Sequence, residues 1–422
     1  MNVLVVGRGG REHAICKKVA ESPLVETVFC APGNAGIAQD ASIVNIDEMN
    51  FADLAAFAKE QHVGLVIIGP ENPLSAGITD HLEQEGLKVF GPKQNAAILE
   101  GSKSFSKMMM EKYDIPTARY QSFEDYDAAK AYIEKEGAPI VLKADGLAAG
   151  KGVTVAMTME EALASLDDMM LDKKFGDASA RVVVEQFLQG EEFSLMAFVH
   201  GENVYPMEAA QDHKRAFDND EGPNTGGMGA YSPVPHISQA INDQSVEEII
   251  RPIAKGMVAE GRSFTGIIFA GLMLTEEGPK TIEFNARFGD PETQVVLPRL
   301  ENDLVQVMLD VLDGKDPELT WKDESVLGIV LAAKGYPEAY EKGHELKGLD
   351  AIDAGSVVHA GTYADENIIR ANGGRVLLVT GNGSSPTEAQ KAAYEKMQHV
   401  DTEHFFFRND IGSRAIAKAG LS

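Results

Sequence analysis

The stretch that most constrains this chain is 138–192. It opens APIVLKADGLAAGKGVTVAM, passes through a helical interlude, and closes RVVVEQFLQGEE. An apolar strand ends at Lys143. A loop carrying Gly146, Gly150, Lys151 and Gly152 follows, and then a second β-branched strand. Glycines let backbone N–H groups approach phosphate oxygens closely, and lysines supply positive charge. The order is strand–loop–strand, so the segment is a hairpin that can act as a lid. A P-loop needs strand–loop–helix and a Ser or Thr directly after its lysine. Gly152 follows Lys151 here, which excludes that reading. A glycine-rich turn can also be only a turn, so the rest of the chain has to decide.

With 422 residues, the chain exceeds what one hydrophobic core serves, and two to four domains are expected. No apolar run approaches the roughly 18–20 residues of a membrane span. The start, MNVLVVGRGG, enters a buried-strand pattern directly, so no signal peptide is expected. Cys16 and Cys30 are the only cysteines and form no CxxC pair, which argues against a disulfide scaffold or a zinc site. Both read as small buried residues of a protein in a reducing cytoplasm. The formal charge of −27 argues against nucleic acid or an anionic membrane as partner. Phosphorylated substrates would then need local basic residues beside glycines.

Residues 3–6 read as a central parallel strand, followed by GRGGREH at 7–13 and a helix through Ala20. A glycine turn at a helix start is an anion site. Glu12 occupies the third glycine position of a dinucleotide fingerprint, and APGNAG at 31–36 replaces its acidic residue. A single phosphate or phosphoribosyl group suits this loop better. A helix at 51–60, a strand at 65–68, GPENP at 69–73, a helix near 77–85 and a strand at 88–90 continue the alternation. That pattern predicts a doubly wound parallel sheet with ligands beyond its C-terminal strand ends. Glu71 there can accept hydrogen bonds from ribose hydroxyls or simply be solvated.

Lys103 begins a helix over 103–112, an unfavourable place for a cation unless an anion is near. Methionines 108–110 read as core. A strand at 182–185, a hinge at 186–190 and a strand at 193–199 follow, and a flat base can bond such a hinge. The polar stretch 211–235 is too long for a casual connector. It holds Asp212, His213, Lys214 and Arg215, with His213 open to either a general-base or a positioning role. The hairpin 264–288 places Glu283, Asn285 and Arg287 at i, i+2 and i+4 on one face of an apolar strand. The alternative is a solvent-facing edge, but the apolar surroundings favour a site. Glu283 and Asn285 suit Mg²⁺, and Arg287 can grip a carboxylate bidentately.

Together the GSK helix start, KADGLAAGKG, EQFL and EFNARFGDPETQ resemble the ATP-grasp enzymes. GRGGREH, APGNAG, QDHKR and GPNTGGMGAYSP narrow this to the phosphoribosylamine–glycine ligase family, over essentially the whole length. The resemblance implies that ATP and glycine form glycyl phosphate, which 5-phosphoribosylamine converts to glycinamide ribonucleotide in purine biosynthesis. It implies that Lys103, Lys143, Gly150, Lys151 and Gly152 hold the ATP phosphates. Glu185, Phe187 and Glu192 would flank adenine and ribose, and Glu283 and Asn285 would ligate Mg²⁺ or Mn²⁺. Gly9, Gly10, Asn34 and Glu71 would receive phosphoribosylamine. Glycine would be placed by Arg287, Asp212, Lys214 and the loop 224–228, with Thr225, Gly226, Gly227 and Met228. Arg287, Lys143, Asp212 and Lys214 are the expected catalytic residues.

The expected architecture is a multidomain α/β protein. An N-terminal doubly wound domain at 1–103 precedes an ATP-grasp domain at 104–316, with a lid near 120–190, and an α/β domain at 317–422. In the last, strands are expected at 326–332, 356–363 and 375–380 and a helix at 386–398, after a linking stretch with Trp321. Arg408 and Arg414 read as structural. A cytoplasmic monomer is expected. Two competing readings are another ATP-grasp ligase or carboxylase with a different acceptor, and a nucleotide-binding regulator without turnover.

Overall fold

Val3, Leu4, Val5 and Val6 are all 0% exposed, which only a strand covered on both faces achieves. In the computed structural model, which describes residues 1–147 and 152–419, that strand, Asn2–Gly7, is central. The sheet is parallel, in the order Ser42–Ile43, Thr27–Pro32, Asn2–Gly7, Val63–Ile68, Val89–Phe90. Helices Gly10–Ala20 and Phe51–Glu60 cross between its strands. Because the strands are parallel, the turns after Gly7, Pro32 and Ile68 gather at one edge.

A second, separate sheet has the order Tyr120–Phe123, Val182–Gln186, Ile140–Ala144, Val153–Ala156. With helices Tyr126–Glu136 and Met159–Leu166 it has its own small core around Ile133, Leu142, Leu166 and Val184. The two strands of the expected hairpin, Ile140–Ala144 and Val153–Ala156, form its outer half, with Lys143 opposite Val153. The central sheet is antiparallel, in the order Asn203–Pro206, Glu191–His200, Thr265–Thr275, Gly278–Asn285.

The polar stretch 211–235 is not a plain loop. Gln211–Asp212 and Gly229–Ser232 are strands that extend the C-terminal sheet through Ser325–Ala333, Arg375–Gly383 and Val357–His359. Several of its polar groups are satisfied internally. The Tyr231 hydroxyl donates to the Gln211 amide oxygen. The Ser232 hydroxyl donates to the Ala209 carbonyl (2.8 Å) and accepts from Arg299 (2.9 Å). Composition alone could not distinguish that from solvation. The expected strand 356–363 divides in two. Val357–His359 stays in the large sheet, while Thr362–Asp365 pairs with Ile368–Ala371. Between them a Cβ on Gly361 would lie 2.6 Å from the Gly373 Cα, so only glycine lets the chain turn away there. Arg408 is 1% exposed and pairs with Asp220 (3.1 Å) and Asp410 (2.7 Å), a structural role. Arg414 also pairs with Asp220. Among the described residues, no helix is long and apolar enough to cross a membrane.

Three buried histidines fasten the C-terminal segment. His13 Nδ1 accepts the His359 N–H (2.8 Å), and its Nε2 meets Asp40 (2.9 Å). His213 Nε2 accepts the Gly412 N–H (3.0 Å). Burial holds all three below the ordinary imidazole value, His213 at about 4 and His359 at about 3. They fold neutral but protonate near pH 6.5 when unfolded. Their contribution is therefore present above that pH and is lost as pH falls towards 4, by about 3 kcal/mol for His213 alone. Urea unfolding across this window is expected to show a steep loss of stability. His213→Gln, which keeps an acceptor but cannot titrate, is expected to flatten part of it. An identical slope in that variant would remove His213 from the account.

Candidate active site

The strand-end turns of the N-terminal sheet, the hairpin lid and the strand Gly278–Asn285 converge on a cavity of about 300 Å³. It adjoins a second of about 430 Å³ lined by the hinge residues 186–190, and the two share Lys143, Glu185, Asp212, Lys214 and Glu283. Phe187 and Glu192 line the hinge-side cavity. Glu192 pairs with Lys214 (2.9 Å).

Lys103 stands in the first turn of Lys103–Lys112, which Ser102 caps through the Phe105 N–H (3.1 Å). Its ammonium reaches across to the Gly146 carbonyl (2.7 Å), tying the helix start to the lid hairpin. Burial lowers its pKa. Lys143 donates to the Ile282 carbonyl (2.9 Å) and pairs with Glu185 (2.9 Å). Lys107 pairs with the other oxygen of the same carboxylate (2.9 Å), and burial pulls its pKa down to about 8. Glu185 thus lies between two lysines. Gly152 lines the cavity and accepts the Ala144 N–H through its carbonyl (2.8 Å). Gly150 and Lys151 lie outside the described residues.

Glu283 and Asn285 share one face of the strand, with Glu283 opposite Gly271. A Cβ at Gly271 would approach the Glu283 Cγ to 3.3 Å, so the glycine leaves room for that side chain. Burial opposes ionisation of Glu283, but Lys214, Lys143 and Lys103 overcome it and hold the carboxyl below its ordinary value. Among the described residues, the Glu283 carboxylate and the Asn285 amide take no hydrogen bond or ion pair. Nor, among them, do three or more His, Cys, Asp or Glu gather around a possible metal position. Two free oxygen donors without a full protein cage fit a Mg²⁺-type ion that shares ligands with nucleotide phosphates.

Arg287 lies just beyond the strand end rather than on it. It pairs with Glu100 (2.9 Å) and approaches Glu71 (3.6 Å), while Arg11 joins the chain through Glu71 (3.8 Å) and Glu12 (2.6 Å). Asp212 is 8% exposed, and burial raises its pKa. The neighbouring Lys214 keeps its charge despite burial because of Glu192 and Asp212. In the loop 224–228, the Thr225 hydroxyl donates to the Lys214 carbonyl (2.8 Å), and Gly226 lines the cavity. Gly227 has φ +118°, and a Cβ there would sit 2.6 Å from the Pro291 ring. Met228 does not face the cavity; it is 0% exposed in the main core.

The N-terminal loops open on another cavity, of about 540 Å³, against the C-terminal segment. Gly9 and Asn34 line it, and it shares Asp290 and Arg375 with the main cavity. The Gly9 N–H is occupied by Glu12 (2.7 Å). Gly10 packs on Gln294, which a Cβ would meet at 2.7 Å. The Asn34 amide donates to the carbonyls of Arg8 (2.8 Å) and His359 (3.0 Å). His213 faces away from these cavities, towards Gly412.

Sequence reasoning missed Arg11, Glu100, Lys107, Asp290, Glu292 and Arg375, which all line the main cavity. Lys107 was visible in principle, one helical turn after Lys103. Arg375 and Glu100 had no local signal.

Three family models cover the chain: the phosphoribosylglycinamide synthetase N domain over 1–100, its ATP-grasp (A) domain over 101–293 and its C domain over 326–414. The chain belongs to the phosphoribosylglycinamide synthetase family. It is 59% identical to the phosphoribosylamine–glycine ligase of Halalkalibacterium halodurans, over 100% of this chain and 99% of that one. The crystal structure of phosphoribosylamine–glycine ligase from Thermotoga maritima superposes with a TM-score of 0.84 at 34% identity, covering 97% of this chain and 100% of that one. A biotin carboxylase domain from Hydrogenobacter thermophilus, solved with MgADP and bicarbonate, shares the fold with a TM-score of 0.70. Its identity is 15%, and the match covers 96% of this chain and 91% of that one. Like the rest of the phosphoribosylglycinamide synthetase family, the chain is an ATP-using ligase with an ATP-grasp core.

Proposed function

We propose that this cleft activates glycine with ATP and joins it to 5-phosphoribosylamine. The products are glycinamide ribonucleotide, ADP and phosphate, in a step of purine biosynthesis. One observation carries the assignment to the cleft: the oxygens of Glu283 and Asn285, unpaired among the described residues, share a cavity with Lys103, Lys143 and Arg287. Adenine and ribose fit the hinge-side cavity beside Glu185, Phe187 and Glu192. The phosphates then run towards Lys103, Lys143 and Gly152. Glu283 and Asn285 would hold Mg²⁺ or Mn²⁺, which when bound neutralises charge on the γ-phosphoryl group.

Arg287, Asp212, Lys214 and the loop 224–228, through Thr225, Gly226 and Gly227, place glycine. Met228 backs that loop from the core. A glycine carboxylate oxygen attacks the γ-phosphorus in line, and ADP leaves. Lys103 and Lys143 stabilise the charge spreading over the transferred oxygens. Phosphoribosylamine occupies the N-terminal cleft lined by Gly9 and Asn34, with Gly10 behind it, and reaches past Asp290 and Arg375 into the main cavity, where Glu71 stands. Its neutral amine attacks the carbonyl of glycyl phosphate and expels phosphate. The lid excludes water, which would hydrolyse that anhydride. His213 moves no proton in this scheme. We place the protein in the cytoplasm, acting as a monomer on its small-molecule substrates.

The test is ADP release with each substrate omitted in turn. Release that needs ATP, glycine and phosphoribosylamine together is expected. ADP formation indifferent to glycine or to the amino sugar would reject the assignment.

A further inference from the structure

We propose that Glu292 and Asp212 together receive the α-ammonium group of glycine and hold that nitrogen protonated, so that it cannot act as a nucleophile. This rests on reading the cleft as the glycine-activating site.

Glu292 is 4% exposed and lines the main cavity. One of its oxygens takes a long hydrogen bond from the Ser194 hydroxyl (3.4 Å), and the other, Oε2, has no hydrogen-bond partner among the described residues. A Cβ on Gly289 would come within 2.6 Å of Oε2, so bare backbone makes its room. Asp212 lines the same cavity and, among the described residues, takes no hydrogen bond or ion pair from another side chain. Buried carboxylates of this kind are costly unless a cation or a proton joins them.

The charged groups facing Glu292 are Asp212, Lys214, Arg287 and Arg375. The three cations are engaged elsewhere: Lys214 with Glu192 (2.9 Å), Arg287 with Glu100 (2.9 Å) and Arg375 with Asp290 (3.4 Å). Lys214 divides its charge between Glu192 and Asp212, so Glu292 and Asp212 have less than one cation between them. Glycine supplies one, two bonds from the carboxylate that must meet the γ-phosphoryl group. The chemistry also demands that only one of two amines be nucleophilic. A doubly anionic pocket keeps the glycine nitrogen as ammonium and leaves the other substrate's amine free to attack.

Burial, then the charge of Asp212, raises Glu292 to about 7. The free site is partly protonated at neutral pH, and the bound ammonium replaces that proton. Glycine binding therefore releases a proton below about pH 7, and the apparent KM for glycine rises about tenfold from about pH 8 to about pH 6.

The experiment uses the full chain with saturating ATP, Mg²⁺ and phosphoribosylamine, following ADP release against glycine across this pH range. Glu292→Gln is expected to raise the glycine KM about 30-fold, to leave kcat within about fivefold and the ATP KM unchanged, and to abolish the pH slope. Titration of glycine into the wild-type protein, in buffers of different ionisation enthalpy, is expected to show proton release that the variant lacks. A wild-type glycine KM that is flat with pH, a Gln variant with wild-type KM, or a fall in kcat at unchanged glycine KM would each overturn the proposal. If Glu292→Gln does not fold, the wild-type slope and proton release decide alone. ADP release that ignores glycine altogether sinks the functional reading itself, a distinct result.

Discussion

Glu283→Gln is expected to lower kcat by about two to three orders of magnitude, the usual consequence of removing one preorganised charge from a transition state. The substitution is nearly isosteric. Among the described residues Glu283 has no partner to strand, so the fold is expected to be undisturbed. What changes is the field. Lys214, Lys143 and Lys103 now hold this carboxylate ionised against its burial. In its absence they face one another with one anion fewer, and the proposed Mg²⁺ position would keep only the Asn285 oxygen. The loss should therefore appear in kcat and in the Mg²⁺ concentration needed for half-maximal rate, with a far smaller relative effect on the unfolding midpoint. Near-normal turnover would remove Glu283 from the metal position.

Arg287→Ala is expected to differ, because it damages both chemistry and fold. Its guanidinium lies beside Glu100, at 2.9 Å, and Glu71, at 3.6 Å. Burial opposes its charge, and these two carboxylates restore it. Glu100 is itself buried and already pushed above the ordinary carboxyl range by burial, with Arg287 the largest compensation, followed by the Ala286 N–H (2.8 Å) and the more distant Arg11. Removing one partner of such a pair costs about 3–5 kcal/mol, because the other is left uncompensated. Urea unfolding is expected to report that loss, and the glycine KM is expected to rise steeply. A second change, Glu100→Gln, is expected to recover much of the stability and none of the activity. Recovery of both would make Arg287 a structural residue only.

How far these residues were legible in advance depends on whether their placement is local. Glu283 and Asn285 repeat every second residue in an apolar strand, a period that any strand must express. Lys103 stands where a helix start disfavours a cation, and its helix, Lys103–Lys112, matches the expected span. The N-terminal alternation of strands and helices likewise produced the expected parallel sheet. Arg375 is different. It reaches the cavity because the C-terminal sheet pairs across to Gly229–Ser232, and nothing near Arg375 in the chain encodes that distance. Glu292 follows the strand end in a turn without periodicity, so its burial beside Ser194 was invisible. His213 shows the converse. Its setting among Asp212, Lys214 and Arg215 left a catalytic role open, whereas its ring holds Gly412.

The central claim is that glycine's own carboxylate accepts the γ-phosphoryl group and loses an oxygen to it. Glycine labelled with ¹⁸O in the carboxylate tests that most directly, by mass analysis of the phosphate formed alongside glycinamide ribonucleotide. One label per phosphate is the predicted result; phosphate free of label would contradict an acyl phosphate in this cleft.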